Sequence, residues 1–326
     1  MGKRFLHSIA QDNADLAASA SIAAFDLPVN PLSMLLLRLQ ITNVAPAALD
    51  TYTALDDVIT QITSVRVLHK GEQIIGGSLR DLMMVNALYQ RAYPWATKLT
   101  NTDNGIRSFV FPLCLGRRPY DPISCFPATT RGNLRFELDA GADGAGYDDI
   151  NFSVQAVELI EADPTEYVKY VTSSMTSVAG QFDARLPIGN PLLGILLFDT
   201  GLFGSDDEVT SWGRLRLLKD NVEQYYSAVD YEVLAGMLGQ QLGMPTLWPG
   251  HVHQFNGAAV GLDDSDEQQI LNSVGMQGYA WLDFDPLRDY EYEMETGGAG
   301  DLVIRATGDE ASAVRWLPLE RVKVLR

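Results

Sequence analysis

Two β-sandwiches in tandem, an all-β fold, are predicted by three features of the sequence. A set of blocks occurs twice in the same order, several segments alternate apolar and polar residues with a period of two, and 28 glycines and 15 prolines are spread along the 326 residues. The first block is LPVNPLSMLLL at 27–37, answered by LPIGNPLLGILL at 186–197 with Gly189 inserted. The second is VRVLHKGEQ from Val65, answered by LRLLKDNVEQ from Leu215, again with one insertion. The third is GNLRFEL from Gly132, answered by GDLVIRA from Gly300. Three blocks in one order define two copies of a unit of roughly 150 residues.

Each block has strand character. Leu134, Phe136 and Leu138 alternate with Arg135, Glu137 and Asp139, as in a strand with one face buried. The same period runs through Phe109, Phe111, Leu113 and Leu115, through Ile150, Phe152 and Val154, and through Tyr290, Tyr292 and Met294. The leucine runs at 35–37 and 195–197 predict strands covered on both faces. Pro28 and Pro187 stand at the strand starts, where a missing N–H removes no ladder bond. TGGAGD at 296–301 lies between two alternating segments and predicts a hairpin turn rather than a phosphate-binding loop.

One short helix is predicted in each copy. The first spans Ser78 to Tyr93, with Ser78 as N-cap, Asp81 in the first turn and Met83–Met84 as core filler. The second runs from about Asp230 to Leu242, where Leu234, Met237, Leu238 and Leu242 recur at helical spacing. The expected division is an N-terminal arm or helix over 1–24, a first sandwich over 25–172 and a second over 173–326. Pro164 marks the junction, and a long insertion from about Gly243 to Gly278 is expected to be a surface loop.

The formal charge of −18 argues against a direct nucleic-acid-binding role, because phosphates would be repelled over most of the surface. Only Cys114 and Cys125 occur, so no disulfide framework is implied, and two small buried or half-buried thiols in a reduced compartment are expected. No apolar run approaches the ~18 residues of a membrane span. Lys3 and Arg4 imitate the start of a signal peptide, but Gln11, Asp12, Asn13 and Asp15 break the apolar stretch one would need.

An LP start to an apolar strand, then a short strand ending in a polar turn, then a helix, twice in one chain, resembles the double-jelly-roll major capsid proteins of tailless icosahedral viruses with an internal membrane, the tectivirus- and corticovirus-like lineage. Leu27–Leu37 and Leu186–Leu197 carry the resemblance, supported by Val65–Gln73, Leu215–Gln224, Gly132–Leu138 and Gly300–Ala306. It implies two tandem jelly-roll sandwiches, a pseudo-hexagonal homotrimer that tiles a shell, and residence in the virion capsid after assembly in the host cytoplasm. It also implies minor capsid or vertex proteins as partners, and an N-terminal segment against the membrane. In that reading Lys3 and Arg4 meet anionic lipid, and Phe5, Leu6 and Ile9 form a modest apolar face.

Chemistry is sparse. His251 and His253 form an H-x-H of the kind cupin metal sites use, but no carboxylate follows within 254–260 and no later histidine exists to complete the ligand set. Trp212, Trp248, Trp281 and Trp316 would serve a carbohydrate-active two-sandwich enzyme if they lined one groove; core packing is the expectation. A nucleophile elbow and a P-loop are both missing from the sequence, and no catalytic residue or cofactor is expected. The alternatives to a major capsid protein are therefore a carbohydrate-active or cupin-like enzyme and a minor or vertex capsid protein. Asp206 and Asp207, with Glu208, and Asp263, Asp264 and Asp266, with Glu267, are candidate Ca²⁺ ligands, since closely spaced carboxylates supply hard oxygen donors. Bound Ca²⁺ predicts a melting temperature that falls in EDTA and recovers with added Ca²⁺; an unchanged melt excludes it.

Overall fold

A computed structural model describes residues 4–43, 55–97, 105–142, 147–199, 210–242 and 278–324. Contacts divide the chain into two compact units, the first ending at Val168 and the second beginning at Lys169, with Val324 returning to the first. The sequence expectation put this boundary after residue 172.

The first unit holds β1 (Arg4–Asp15), β2 (Ser21–Asp26), β3 (Leu32–Asn43), α1 (Leu55–Gln61), β4 (Ile62–His69), β5 (Glu72–Gly77) and α2 (Leu79–Val85). A single π-helical turn (Asn86–Gln90) follows, then β6 (Trp95–Ala96), β7 (Ile106–Cys114), β8 (Leu134–Ala140) and β9 (Tyr147–Ile160). One sheet has the order β1-β9-β3-β7-β6; the other pairs β2 with β8, β8 with β4 and β4 with β5. Leu37, Leu39 and Ile41 of β3, Phe109 and Phe111 of β7, Val65 and Val67 of β4, and Phe136 and Leu138 of β8 are all buried.

β10 (Glu166–Val171) carries the chain into the second unit, which holds β11 (Ser173–Thr176), β12 (Gly180–Arg185), β13 (Leu192–Asp199), β14 (Arg214–Lys219), β15 (Val222–Glu223) and β16 (Val229–Asp230). It ends with α3 (Tyr231–Leu242), β17 (Tyr279–Asp283), β18 (Leu302–Gly308) and β19 (Ala313–Lys323). β13 pairs with β17 on one side and β19 on the other, and β11 lies beyond β19. The second sheet pairs β12 with β18 and β18 with β14. One core fills the space between the sheets: Ile195 and Leu197 of β13 and Trp316 of β19 face Ala184 of β12, Leu217 of β14 and Ile304 of β18.

The repeated blocks occupy the same places in the two sandwiches, down to single hydrogen bonds. Leu27 N–H donates to Leu134 O and Leu186 N–H to Leu302 O, both at 2.9 Å. The second block is in each case a hairpin with a two-residue turn whose central residues have positive φ, Lys70–Gly71 (51° and 87°) and Asp220–Asn221 (51° and 63°). Such turns match the twist of the strands they join. Each turn is pinned from the third block, Lys70 N–H to Asn133 O at 2.7 Å and Asp220 N–H to Asp301 O at 3.0 Å.

The first block carries a bulge. Register slips by one residue between Leu32 and Met34 against β9, and between Leu192 and Gly194 against β19. The extra residue turns its carbonyl to the strand on the other side, Ser33 O accepting from Leu115 N–H and Leu193 O from Phe284 N–H. At the second bulge the indole of Trp281 takes the space that a side chain at 194 would need: a Cβ there would lie 2.1 Å from the ring.

Ser78 caps α2 as expected, accepting from Asp81 N–H at 3.2 Å, and Met83 and Met84 are buried. The helix ends earlier than periodicity suggests, because Asn86 leaves the α-helical pattern, accepts from Cys114 N–H at 2.7 Å and so ties the π turn to β7. α1 is an additional helix beyond the one expected per unit.

Four expectations are corrected. The expected arm or helix over 1–24 holds strand instead, over Arg4–Asp15 and from Ser21: β1 adds to the sheet edge by antiparallel pairing with β9, which satisfies its backbone on one side. Leu36 is only half-buried, so β3 alternates where β13 is covered throughout. The segment around Tyr290–Met294 is not a strand. Pro286 and the positive φ of Arg288 (58°) and Tyr290 (70°) make it a folded loop that meets β13 only at the Leu192–Met294 bridge. Thr296–Asp301 is accordingly a turn that leads from this loop into β18, with Ala299 N–H donating to Thr296 O.

Gly194→Ala is expected to destabilise the protein by about 1–3 kcal/mol, since the Trp281 ring must shift to admit one methyl group. The midpoint of urea unfolding followed by tryptophan fluorescence checks this.

Candidate assembly surfaces

At one end of each sandwich the LP turn meets the last strand, and a buried acid joins them. Asn30 donates its side-chain amide to Glu158 at 2.6 Å, and Asn190 donates to Glu320 at 2.9 Å. Both glutamates are buried, and Ser8 of β1 also donates to Glu158. The next backbone N–H closes each joint, Leu159 to Pro31 O and Arg321 to Pro191 O. Two buried carboxylates satisfied in the same way hold two turns in the same shape.

Large apolar side chains are exposed around these turns. Val29 and Ile188, equivalent in the repeat, are 41% and 44% exposed. In the first unit Phe5 stands edge-on to Tyr120 at 5.2 Å, and His7 shares a hydrogen bond with the Tyr120 hydroxyl at 3.2 Å. Arg4, Phe5, Tyr120, Pro122, Leu159 and Ile160 line a shallow cleft of about 270 Å³. In the second unit Tyr225 stands edge-on to Phe284 at 5.3 Å and donates to Glu293 O at 3.3 Å, beside the loop that carries Leu287 and Tyr292. That loop is held from within. Asp285, fully buried, accepts from the N–H groups of Asp289 and Tyr290, and Arg288 pairs with Asp283 at 2.9 Å. Arg321 pairs with Glu293 through a 2.7 Å bond and lies over the Tyr290 ring at 4.6 Å.

The outer face of β12, β18 and β14 is polar. Arg214, Arg216 and Arg305 line an open depression of about 520 Å³ there. All three are ion-paired, Arg214 with Asp230 at 2.8 Å, Arg216 with Glu223 at 3.5 Å and Arg305 with Asp183 at 2.7 Å. The hydrogen bonds from Arg305 hold the Asp183 carboxyl below the usual carboxylate range. Exposed pairs of this kind contribute little to stability and leave no spare cation for an anionic ligand.

Arg4 and Phe5 lie on β1, paired with Ile160 and Leu159, and Lys3 lies outside the described residues. The candidate Ca²⁺ ligands Asp206, Asp207, Asp263, Asp264 and Asp266 also lie outside them, as do His251, His253 and Trp248. Trp212, Trp281 and Trp316 are core residues, not a groove; Trp212 packs against Phe182 and Trp316 and donates to Phe198 O at 3.0 Å. Cys114 and Cys125 form no disulfide and are buried, and burial pushes both thiols up to about 12. Among the described residues no three His, Cys, Asp or Glu are grouped to hold a metal ion, and no helix is long and apolar enough to cross a membrane. The 283–293 loop escaped the sequence reading because its alternation resembles a strand; Pro286 and the Arg288–Asp289 pair were the turn signal.

Two sandwiches built from one repeated set of strands make this chain a double jelly roll. Solved structures share that fold over nearly its whole length. The major capsid protein of bacteriophage PM2 is similar with a TM-score of 0.56 and 14% identity, over 98% of this chain and 99% of that one. The structure of Sulfolobus Turreted Icosahedral Virus gives 0.64 and 12%, over 98% and 91%. The PBCV-1 virus capsid gives 0.57 and 9%, over 98% and 94%. No protein-family model and no curated protein sequence matches the chain.

Asn30→Ala and Asn190→Ala are each expected to cost about 1–3 kcal/mol, because each withdraws a donor from a buried carboxylate. Chemical unfolding of the two variants tests whether the joints are energetic as well as geometric.

Proposed function

We propose that the chain is a shell-building protein, the major capsid protein of an icosahedral virus, which assembles as a pseudo-hexagonal homotrimer around an internal membrane. The observation that carries this reading is end-to-end coverage. Both units, and not one sandwich alone, align with capsid proteins over 98% of this chain and 99% of the PM2 protein. With two similar sandwiches in each chain, three copies present six similar units and so approximate a hexagon, and the duplicated joints keep the two alike. Its partners are then other copies of itself, with minor capsid and vertex proteins at special positions, and its place is the virion after assembly in the host cytoplasm. The role is structural: the work is burial of area between copies, and an obligate assembly buries more than the ~1,600 Å² of a standard complex.

Light scattering combined with negative-stain microscopy tests this. The purified protein is expected at three times 35.8 kDa with a hexagonal outline. A monomer at every concentration, or a monomer with a ligand-filled pocket, overturns the reading.

A further inference from the structure

We propose that the start of β1 in one copy docks on the acid-rimmed apolar end of the second unit in a neighbouring copy, joining copies head to tail. This deepens the shell reading above and rests on it. β1 is the outermost strand of its sheet. Its first half, Arg4 to Ile9, pairs with β9 in unbroken register, and the bulges come only after Ile9, where Asp12 and Asp15 also lie. Bulges keep a sheet edge from joining another chain, so the bulged second half is guarded and the regular first half is not. In that unguarded half Phe5 is 61% exposed and Ile9 62%, Arg4 is exposed beside them, and Lys3 precedes it in sequence.

The complementary surface is on the second unit. Val222, Tyr225, Leu287 and Tyr292 are large apolar or aromatic side chains left open to solvent around one loop, with Leu287 61% exposed. Exposed apolar residues gathered in this way mark a contact surface. Asp289, Glu291 and Glu295 are exposed along the same loop. Of the nearby cations, Arg288 is paired with Asp283 and Arg321 with Glu293, and Lys219, donating to Glu295 O at 2.7 Å, offsets only part of this charge. The negative field is felt locally: burial raises the Tyr225 hydroxyl first, and Glu293 and Glu295 raise it further. The occupant must therefore be apolar and basic. With 42 acidic against 24 basic residues the chain is poor in such segments, and Arg4–Ile9, with Lys3 before it in sequence, is one whose apolar side chains Phe5, Leu6 and Ile9 are exposed. An anionic lipid surface would meet the wrong sign of charge here. Because the two patches are unlike, the contact is head-to-tail, the type that closes into a ring when its rotation permits.

Charge reversal tests the pairing in solution, with circular dichroism and thermal melts confirming that each variant folds. Lys3→Glu with Arg4→Glu is expected to raise the dissociation constant of the trimer roughly tenfold, read by light scattering and native mass spectrometry over a dilution series. Adding Glu291→Lys and Glu295→Lys to the same chain is expected to restore it to within about threefold. Leu287→Asp alone is expected to weaken assembly by about a hundredfold. Trimers that persist in all these variants, or a loss that the second pair does not rescue, overturn the interface and leave the shell reading standing. Wild-type monomers overturn both. Flotation with phosphatidylcholine–phosphatidylglycerol vesicles that depends on Lys3 and Arg4, in variants that still trimerise, assigns the segment to lipid and overturns the interface.

Discussion

Each unit depends on the joint between its leucine-rich strand and its last strand. One extra residue, Ser33 or Leu193, is inserted there against β9 or β19. Side chains in a strand alternate between faces, so a slip of one residue moves every later side chain to the other face. The bulge therefore decides which leucines reach the core, and it must sit at one place only. Three local constraints hold it there. The extra carbonyl is taken by Leu115 or Phe284, the acid opposite Leu32 or Leu192 is buried, and an asparagine from the LP turn satisfies that acid. A buried carboxylate without donors would be costly, so the turn and the strand end cannot part independently.

On this shared frame the two units differ in what they pack and what they show. The second unit fills its core with Trp212 and Trp316, and glycine replaces a side chain at 194 so that Trp281 fits. In the first unit phenylalanines of β7 and β8 fill the buried positions. Beyond the last strand, the first unit adds the twelve-residue β1, whereas the four-residue β11 covers only part of β19. The frame is thus duplicated and the surfaces are not. That combination suits a protein whose contacts with its own copies must be directional, because identical surfaces on the two units would not distinguish one neighbour from another.

Much of the frame was legible in the sequence. The alternation in Leu134–Leu138 and Phe109–Leu115 marked β8 and β7, the cap at Ser78 marked α2, and the repeated LP, hairpin and G-N/D-L blocks marked equivalent positions in two sandwiches. Alternation failed where the residues were right but the neighbours were not. Tyr290, Tyr292 and Met294 alternate like a strand, yet Pro286 and two residues with positive φ bend the chain away from any ladder. The N-terminus failed in the opposite sense. Arg4–Asp15 reads as a polar arm because its faces are half solvated, and it became a strand because β9 offered an unpaired edge.

The sequence by itself determined the duplication and the strand periods, since these follow from residue type and spacing along the chain. Tertiary structure alone decided the bulges, the Asn30–Glu158 and Asn190–Glu320 joints and the exposure of Phe5, Ile9 and Leu287. Those depend on residues more than a hundred positions apart being brought together. Whether a polar group is satisfied or an apolar one is left in water is settled by its neighbours in space, and spacing along the chain does not record them.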